Sequence, residues 1–188
     1  GVVDKLNRGA EVADVGCGHG ISTMLMAHAF PKSRFYGFDY HEGSIDAARA
    51  SMEAAGLGER IKFEVHTAKT FPAQSYELLC FFDCLHDMGD PVGALTHVRE
   101  AIKDDGSCMI VEPFANDRLE DNLNPVGRMY YAASTVVCTP ASLAQEVGTA
   151  LGAQAGEARL RDVARQAGFS RFRRATETPF NLILEARP

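Results

Sequence analysis

Three groups of residues have the types and spacing to do chemistry. The first is Asp14-Val15-Gly16-Cys17-Gly18-His19-Gly20, which ends a short apolar run and opens a helical pattern. Gly16, Gly18 and Gly20 let the backbone turn tightly and approach a ligand, and the N–H groups of the following helix face it. The second is Asp39, about twenty residues further on at the end of the next strand, where a carboxylate can accept both hydroxyls of a ribose. The third is His86 with Glu112. His86 follows the fourth strand and Glu112 ends the fifth, so pairing of those strands would bring the two together. Glu112 can then hold one imidazole nitrogen and leave the other to take a proton near neutral pH. Plainer roles stand beside these: His86 as a helix cap or a packing group under Pro91, and Glu112 as an acceptor of backbone N–H groups.

The glycine spacing narrows the ligand. It runs G-x-G-x-G rather than the G-x-G-x-x-G of a dinucleotide site, and the loop carries no Lys or Arg. Asp14 adds a second acid beside it. This chemistry suits a ligand with an ammonium and a sulfonium better than one with a pyrophosphate; a tight turn without any ligand is the alternative.

The elements that must position these groups alternate in type. Short strands are expected at Glu11–Val15, Arg34–Asp39, Ile61–Val65, Tyr76–Phe82 and Cys108–Val111. Helices are expected at Ile21–Phe30, Gly43–Ala55 and from Pro91 to Ile102, the last with proline in its first turn. Five such alternations predict a doubly wound parallel sheet with helices on both faces. A helix near Ala158–Gln166 precedes two strands, Phe172–Thr176 and Asn181–Ala186, whose short connection makes them an antiparallel hairpin. A long insertion, roughly Phe114–Gly156, separates the fifth strand from this end. The 188 residues fit a single domain. Gly1–Leu6 reads as the tail of a helix, so an N-terminal part of the native protein is expected to be absent.

The motif Asp14–Gly20 and the pair Phe38-Asp39 resemble the first two motifs of class I S-adenosylmethionine-dependent methyltransferases. The resemblance runs from about Val12 to Arg187 and implies a seven-stranded, mostly parallel sheet with a C-terminal antiparallel hairpin. It also implies S-adenosylmethionine as cofactor and S-adenosylhomocysteine as product. Gly16, Cys17, Gly18 and Gly20 with Asp14 would hold the methionine moiety, and Asp39 with Tyr40 the ribose. Phe82 and Asp83 would touch the methionine end, unless Asp83 is simply a cap. Where family members often carry an Asp for the adenine amino group, this chain has His66-Thr67-Ala68, so Thr67 and Ala68 take that place. Leu85-His86-Asp87 with Glu112 is similar to the His-Asp-Trp segment and post-strand Glu of plant-type small-molecule O-methyltransferases, with Met88 in place of Trp. That similarity implies His86 as general base, Glu112 as its orienting partner, and a possible homodimer.

The insertion offers Asn122, Asn124, Arg128, Tyr130 and Tyr131, which read either as an acceptor lid for a small apolar molecule carrying a hydroxyl or as packing. A net charge of −6 argues against a nucleic-acid partner. His19, His41 and His66 lack ligand spacing, so no metal is expected. Five scattered cysteines and no long apolar run point to a cytoplasmic protein without a membrane span. Transfer to nitrogen or carbon, a cofactor-binding regulatory module without turnover, and a nicotinamide-dependent oxidoreductase are the rival functions.

Overall fold

The computed structural model describes residues 1–188. In chain order it contains α1 (Val2–Arg8), β1 (Glu11–Val15), α2 (Ile21–Ala29), β2 (Arg34–Asp39), α3 (Glu42–Ala54), β3 (Ile61–Val65) and β4 (Tyr76–Phe82). A 3-10 turn (Leu85–Asp87) leads to α4 (Pro91–Ala101) and β5 (Ile102–Pro113). The insertion follows as a 3-10 turn (Leu119–Asn122), α5 (Pro125–Ala133), a π-helical turn (Ser134–Cys138) and α6 (Thr139–Leu143). The chain closes with α7 (Gly156–Gln166), β6 (Arg171–Glu177) and β7 (Asn181–Arg187).

The strands form one sheet in the order β3-β2-β1-β4-β5-β7-β6, parallel from β3 to β5 and antiparallel at β7 and β6. The order reverses between β1 and β4, and in such sheets ligands bind outside the carboxyl ends of the strands at that point. Both faces are covered, so central strands are apolar at successive positions rather than at alternate ones. In β4, Leu78 and Cys80 pack with Leu6, Ala27, Ile45 and Ala48 on the α1–α2–α3 side. Leu79 and Phe81, between them in sequence, pack with Leu95 and Val98 of α4 and Leu160 and Val163 of α7.

One element departs from the sequence expectation. The fifth strand begins at Ile102 rather than Cys108, and α4 stops one residue earlier, at Ala101. Tyr76 pairs with Ile102 but Leu78 pairs with Ser107, so a bulge of polar residues interrupts the ladder. Lys103-Asp104-Asp105 carries no apolar alternation, which hid the strand's first half. The basic stretch near the C-terminus is committed locally: Arg173 pairs with Glu185, and Arg174 with Glu157 and Glu177. No helix is long and apolar enough to cross a membrane.

Candidate active site

At the carboxyl ends of the strands lies a cavity of about 670 Å³, within the usual range for small-molecule sites. Gly16, Asp39, Tyr40, Thr67 and Ala68 line it, Asp39 from the end of β2 and the others from the loops that follow β1, β2 and β3. The glycine loop is tied to the neighbouring strand, because the N–H groups of Gly16 and Cys17 both donate to the Phe38 carbonyl. Asp39 braces the same loop: one carboxylate oxygen accepts from Gly18 N–H at 3.0 Å and the other from His41 N–H at 2.9 Å. At Gly16 and Gly20 the loop has no room for a larger residue. Gly20 has φ +75°, and a Cβ there would sit 2.3 Å from the ring of Phe63. Gly20→Ala is therefore expected to destabilise the fold by about 2–4 kcal/mol, from overpacking and left-handed strain together. Thermal unfolding reads this, and an unchanged midpoint would contradict the packing described.

Asp14 lies fully buried beneath the loop. One of its oxygens accepts from the hydroxyls of Ser22 and Thr23, both at 2.6 Å, while Oδ1 has no hydrogen-bond partner. Burial pushes this carboxyl up to about 6 and the charge of Asp39 adds to that, while the two hydroxyls hold it down. Cys17 does not border the cavity; its side chain is buried in the core and its thiol is pushed up by that burial. Thr67 Oγ1 is shared with Thr70 Oγ1 at 3.0 Å and borders the cavity. Phe82 packs toward the core and Asp83 is exposed at φ +57°. Neither borders the cavity; Cys84 and Asp87, just beyond them, do.

His86 and Glu112 meet as the pairing of β4 with β5 requires. His86 Nδ1 lies 2.5 Å from Glu112 Oε2, and Leu85 N–H donates to Oε1 at 3.0 Å. The pair is buried, with His86 only 4% exposed. Nε2 lies 3.2 Å from Asp87 Oδ1, and it is Asp87, not His86, that borders the cavity. Burial pulls the imidazole down, but the Glu112 hydrogen bond and the charges of Glu112, Asp87 and Asp83 outweigh it and raise the ring above its ordinary value. Burial raises the Glu112 carboxyl in turn, against the effect of His86. The helix-cap alternative for His86 and Asp83 falls away, because Asp90 caps α4 by accepting from Gly93 N–H at 2.8 Å.

The insertion closes over this end of the sheet, but with residues other than those singled out by sequence. Gln145 accepts from Gly89 N–H at 3.0 Å and donates to the Asp87 carbonyl at 2.9 Å. The Lys69 ammonium bridges Asp90 and Glu146, 3.1 Å from each. Ala141, Gln145 and Glu146 border the cavity. They lie in or just after the short α6, where no apolar period marks them. Asn122, Arg128, Tyr130 and Tyr131 do not border it. Asn122 corrects an expectation: it is buried, and its amide is engaged by Asn116 N–H and by the Asn116 and Arg118 carbonyls, so it braces its own loop. Tyr130 donates its hydroxyl to the Phe180 carbonyl at 2.8 Å, Tyr131 is half-buried and Arg128 is exposed. Asn124 caps α5.

The residues present fit S-adenosylmethionine. Of the acids that border the cavity, Asp90 and Glu146 are taken by Lys69, while Asp39 and Asp87 are not, which favours a cationic ligand. The orphaned Asp14 Oδ1 lies beneath the glycine loop, and a Cβ on Gly18 would meet nothing within 4 Å.

Comparison with known proteins agrees. Residues 6–168 match a family described as a methyltransferase domain. O-demethylpuromycin-O-methyltransferase of Streptomyces alboniger is 30% identical over 182 residues, covering 94% of this chain and 45% of that protein. The solved structure of an O-methyltransferase family protein from Burkholderia thailandensis has a TM-score of 0.74 at 22% identity, covering 100% of this chain and 52% of the other. An O-methyltransferase from neocarzinostatin biosynthesis, solved with S-adenosyl-L-homocysteine and 1,4-dihydroxy-2-naphthoic acid, gives 0.72 at 22% identity, covering 94% and 48%. The two structural matches speak for the fold, and this chain spans about half the length of these three relatives. With the sheet order, the glycine loop and the family match in agreement, the chain belongs to the class I S-adenosylmethionine-dependent methyltransferase domains.

Proposed function

We propose that this chain transfers a methyl group to a hydroxyl oxygen of a small aromatic acceptor, with Glu112, His86 and Asp87 drawing the proton. The observation that carries this reading is the buried His86–Glu112 pair backing onto Asp87 at the cavity wall. The relatives named above, O-methyltransferases by description, support oxygen as the acceptor atom, and one was solved with a dihydroxynaphthoic acid.

Bound in the cavity, S-adenosylmethionine supplies an electrophilic methyl on its sulfonium. Asp39 would accept the ribose hydroxyls, Asp14 Oδ1 the ammonium, and Thr67 and Ala68 would lie along the adenine. Methyl transfer to the hydroxyl oxygen would leave the acceptor's proton for the protein to remove. The hydroxyl proton leaves through Asp87 to His86 Nε2, while Glu112 holds Nδ1–H and stabilises the imidazolium. Alignment of donor and acceptor supplies much of the acceleration, so the contacts of Gln145 to the Asp87–Gly89 loop belong to the machinery.

The Asp14 role predicts a pH dependence. An ammonium pairs with the ionised carboxylate, so affinity for S-adenosylhomocysteine is expected to fall as pH drops through about 6. The loss approaches about tenfold per pH unit below that point. Titrations across this range should show the fall in the parent and a flat profile in Asp14→Asn. A flat profile in both would remove Asp14 from the ammonium site.

Product analysis after incubation with S-adenosylmethionine and a panel of phenols and hydroxynaphthoic acids tests the function. Formation of an O-methyl ether with equimolar S-adenosylhomocysteine supports it. Cofactor binding with no methylated product from any hydroxylated acceptor would favour a regulatory module, and product methylated on nitrogen or carbon would remove the role of His86.

A further inference from the structure

We propose that His86, Asp87 and Cys138 form a binding site for a thiophilic divalent cation of the zinc class, and that its occupancy blocks proton transfer to His86. His86 Nε2, Asp87 Oδ1 and Cys138 Sγ all lie within 4.8 Å of one another, and Nε2 and Oδ1 are 3.2 Å apart. Bonds of about 2.0–2.3 Å from zinc to nitrogen, oxygen and sulfur place tetrahedral ligand atoms some 3.3–3.8 Å apart. The Nε2–Oδ1 spacing already matches, and the sulfur needs at most a small side-chain shift.

Three further observations single out this trio. Asp87 Oδ1 is a buried oxygen without a hydrogen-bond partner, which a cation would satisfy. His86 Nδ1 is held by the buried Glu112, the carboxylate–histidine arrangement that fixes the tautomer and turns the other nitrogen's lone pair toward a metal. Cys138 comes from the π-helical turn of the insertion, a type of irregularity frequent at functional sites. Three protein ligands with a fourth position left for water is the pattern of an open zinc site rather than a closed structural one. The trio escapes motif inspection because His86 and Asp87 sit after β4 while Cys138 arrives only through the path of the insertion.

Binding would form Zn–N, Zn–O and Zn–S bonds and release the Cys138 thiol proton to solvent. The imidazole lone pair that accepts the acceptor's proton would then be held by the cation. This blocking half rests on the proposed function; the binding half does not.

Cobalt(II) titration with absorption spectroscopy tests binding directly. One equivalent is expected to give tetrahedral visible bands and a thiolate charge-transfer band. Both bands should be lost in Cys138→Ser and kept in Cys84→Ser. Zinc affinity, measured by competition with a chromophoric chelator, is expected to fall on the order of 10- to 100-fold in Glu112→Gln through loss of the supporting carboxylate. In methyl transfer, zinc should inhibit the parent, whereas Cys138→Ser should keep its turnover and escape inhibition. An absent thiolate band in the parent, or an undiminished one in Cys138→Ser, would overturn the site. Inhibition that persists in Cys138→Ser, or cobalt binding without zinc inhibition, would overturn the blocking role. If no acceptor is ever methylated, the cobalt spectrum still decides the site, and the failure belongs to the proposed function alone.

Discussion

Replacing His86 with alanine is expected to slow methyl transfer by about 10²- to 10⁴-fold, the usual contribution of a positioned acid–base group. Affinity for S-adenosylhomocysteine should stay within about twofold, because His86 does not border the cavity. The same substitution leaves the buried Glu112 carboxylate without its partner, and removing one member of a buried pair costs about 3–5 kcal/mol. His86→Ala should therefore unfold at a lower temperature than the parent, and changing Glu112 to Gln in that background should recover much of the loss. The two readouts separate a base from a structural histidine: lower stability with turnover intact would leave His86 as packing. Cofactor titration, a melt and a rate on one preparation give all three values.

The second large effect is expected at Asp39. Its carboxylate would exchange two charge-assisted hydrogen bonds with the ribose while still accepting from Gly18 and His41 N–H groups. Hydrogen bonds to charged groups are worth about 1.5–3 kcal/mol each. Asp39→Ala should thus weaken S-adenosylhomocysteine binding by about 3–6 kcal/mol, or on the order of 10²- to 10⁴-fold. Asp39→Asn, which keeps the shape but not the charge, should fall between the two. Asp39 also braces the glycine loop through the Gly18 and His41 N–H groups, so the melting temperature should fall as well, and affinity is compared well below the transition. Calorimetry checks this, and affinity within about threefold of the parent would take the ribose away from Asp39.

The parts of this molecule that the sequence revealed are those dictated by local periodicity. Glu11–Val15, Arg34–Asp39, Ile61–Val65 and Tyr76–Phe82 form strands with the bounds their apolar patterns imply, and the glycine loop and Asp39 follow because they sit at strand ends. The partnership of His86 with Glu112 was legible for the same reason, since β4 and β5 are neighbours in this topology. The first half of β5 was hidden by its polar bulge. In the insertion, tertiary contacts override residue type. Asn122 looks like a ligand group but spends its amide on its own loop, while Gln145 and Glu146, in a stretch without periodicity, reach the cavity. Asp90, rather than Asp83 or His86, caps α4 because the helix starts at Pro91, as its sequence implies, and the 3-10 turn at Leu85–Asp87 takes up His86 and separates Asp83 from the helix's first turn.

Base catalysis by the buried pair is tested most directly by single-turnover methyl transfer in His86→Ala, Glu112→Gln and the double variant, each saturated with S-adenosylmethionine. Groups that act as one unit are strongly non-additive. The expected result is a large loss in His86→Ala, a smaller one in Glu112→Gln, and a double variant no slower than His86→Ala alone. Losses that multiply in the double variant, or a His86→Ala rate equal to the parent's with cofactor bound, would contradict proton transfer through this pair.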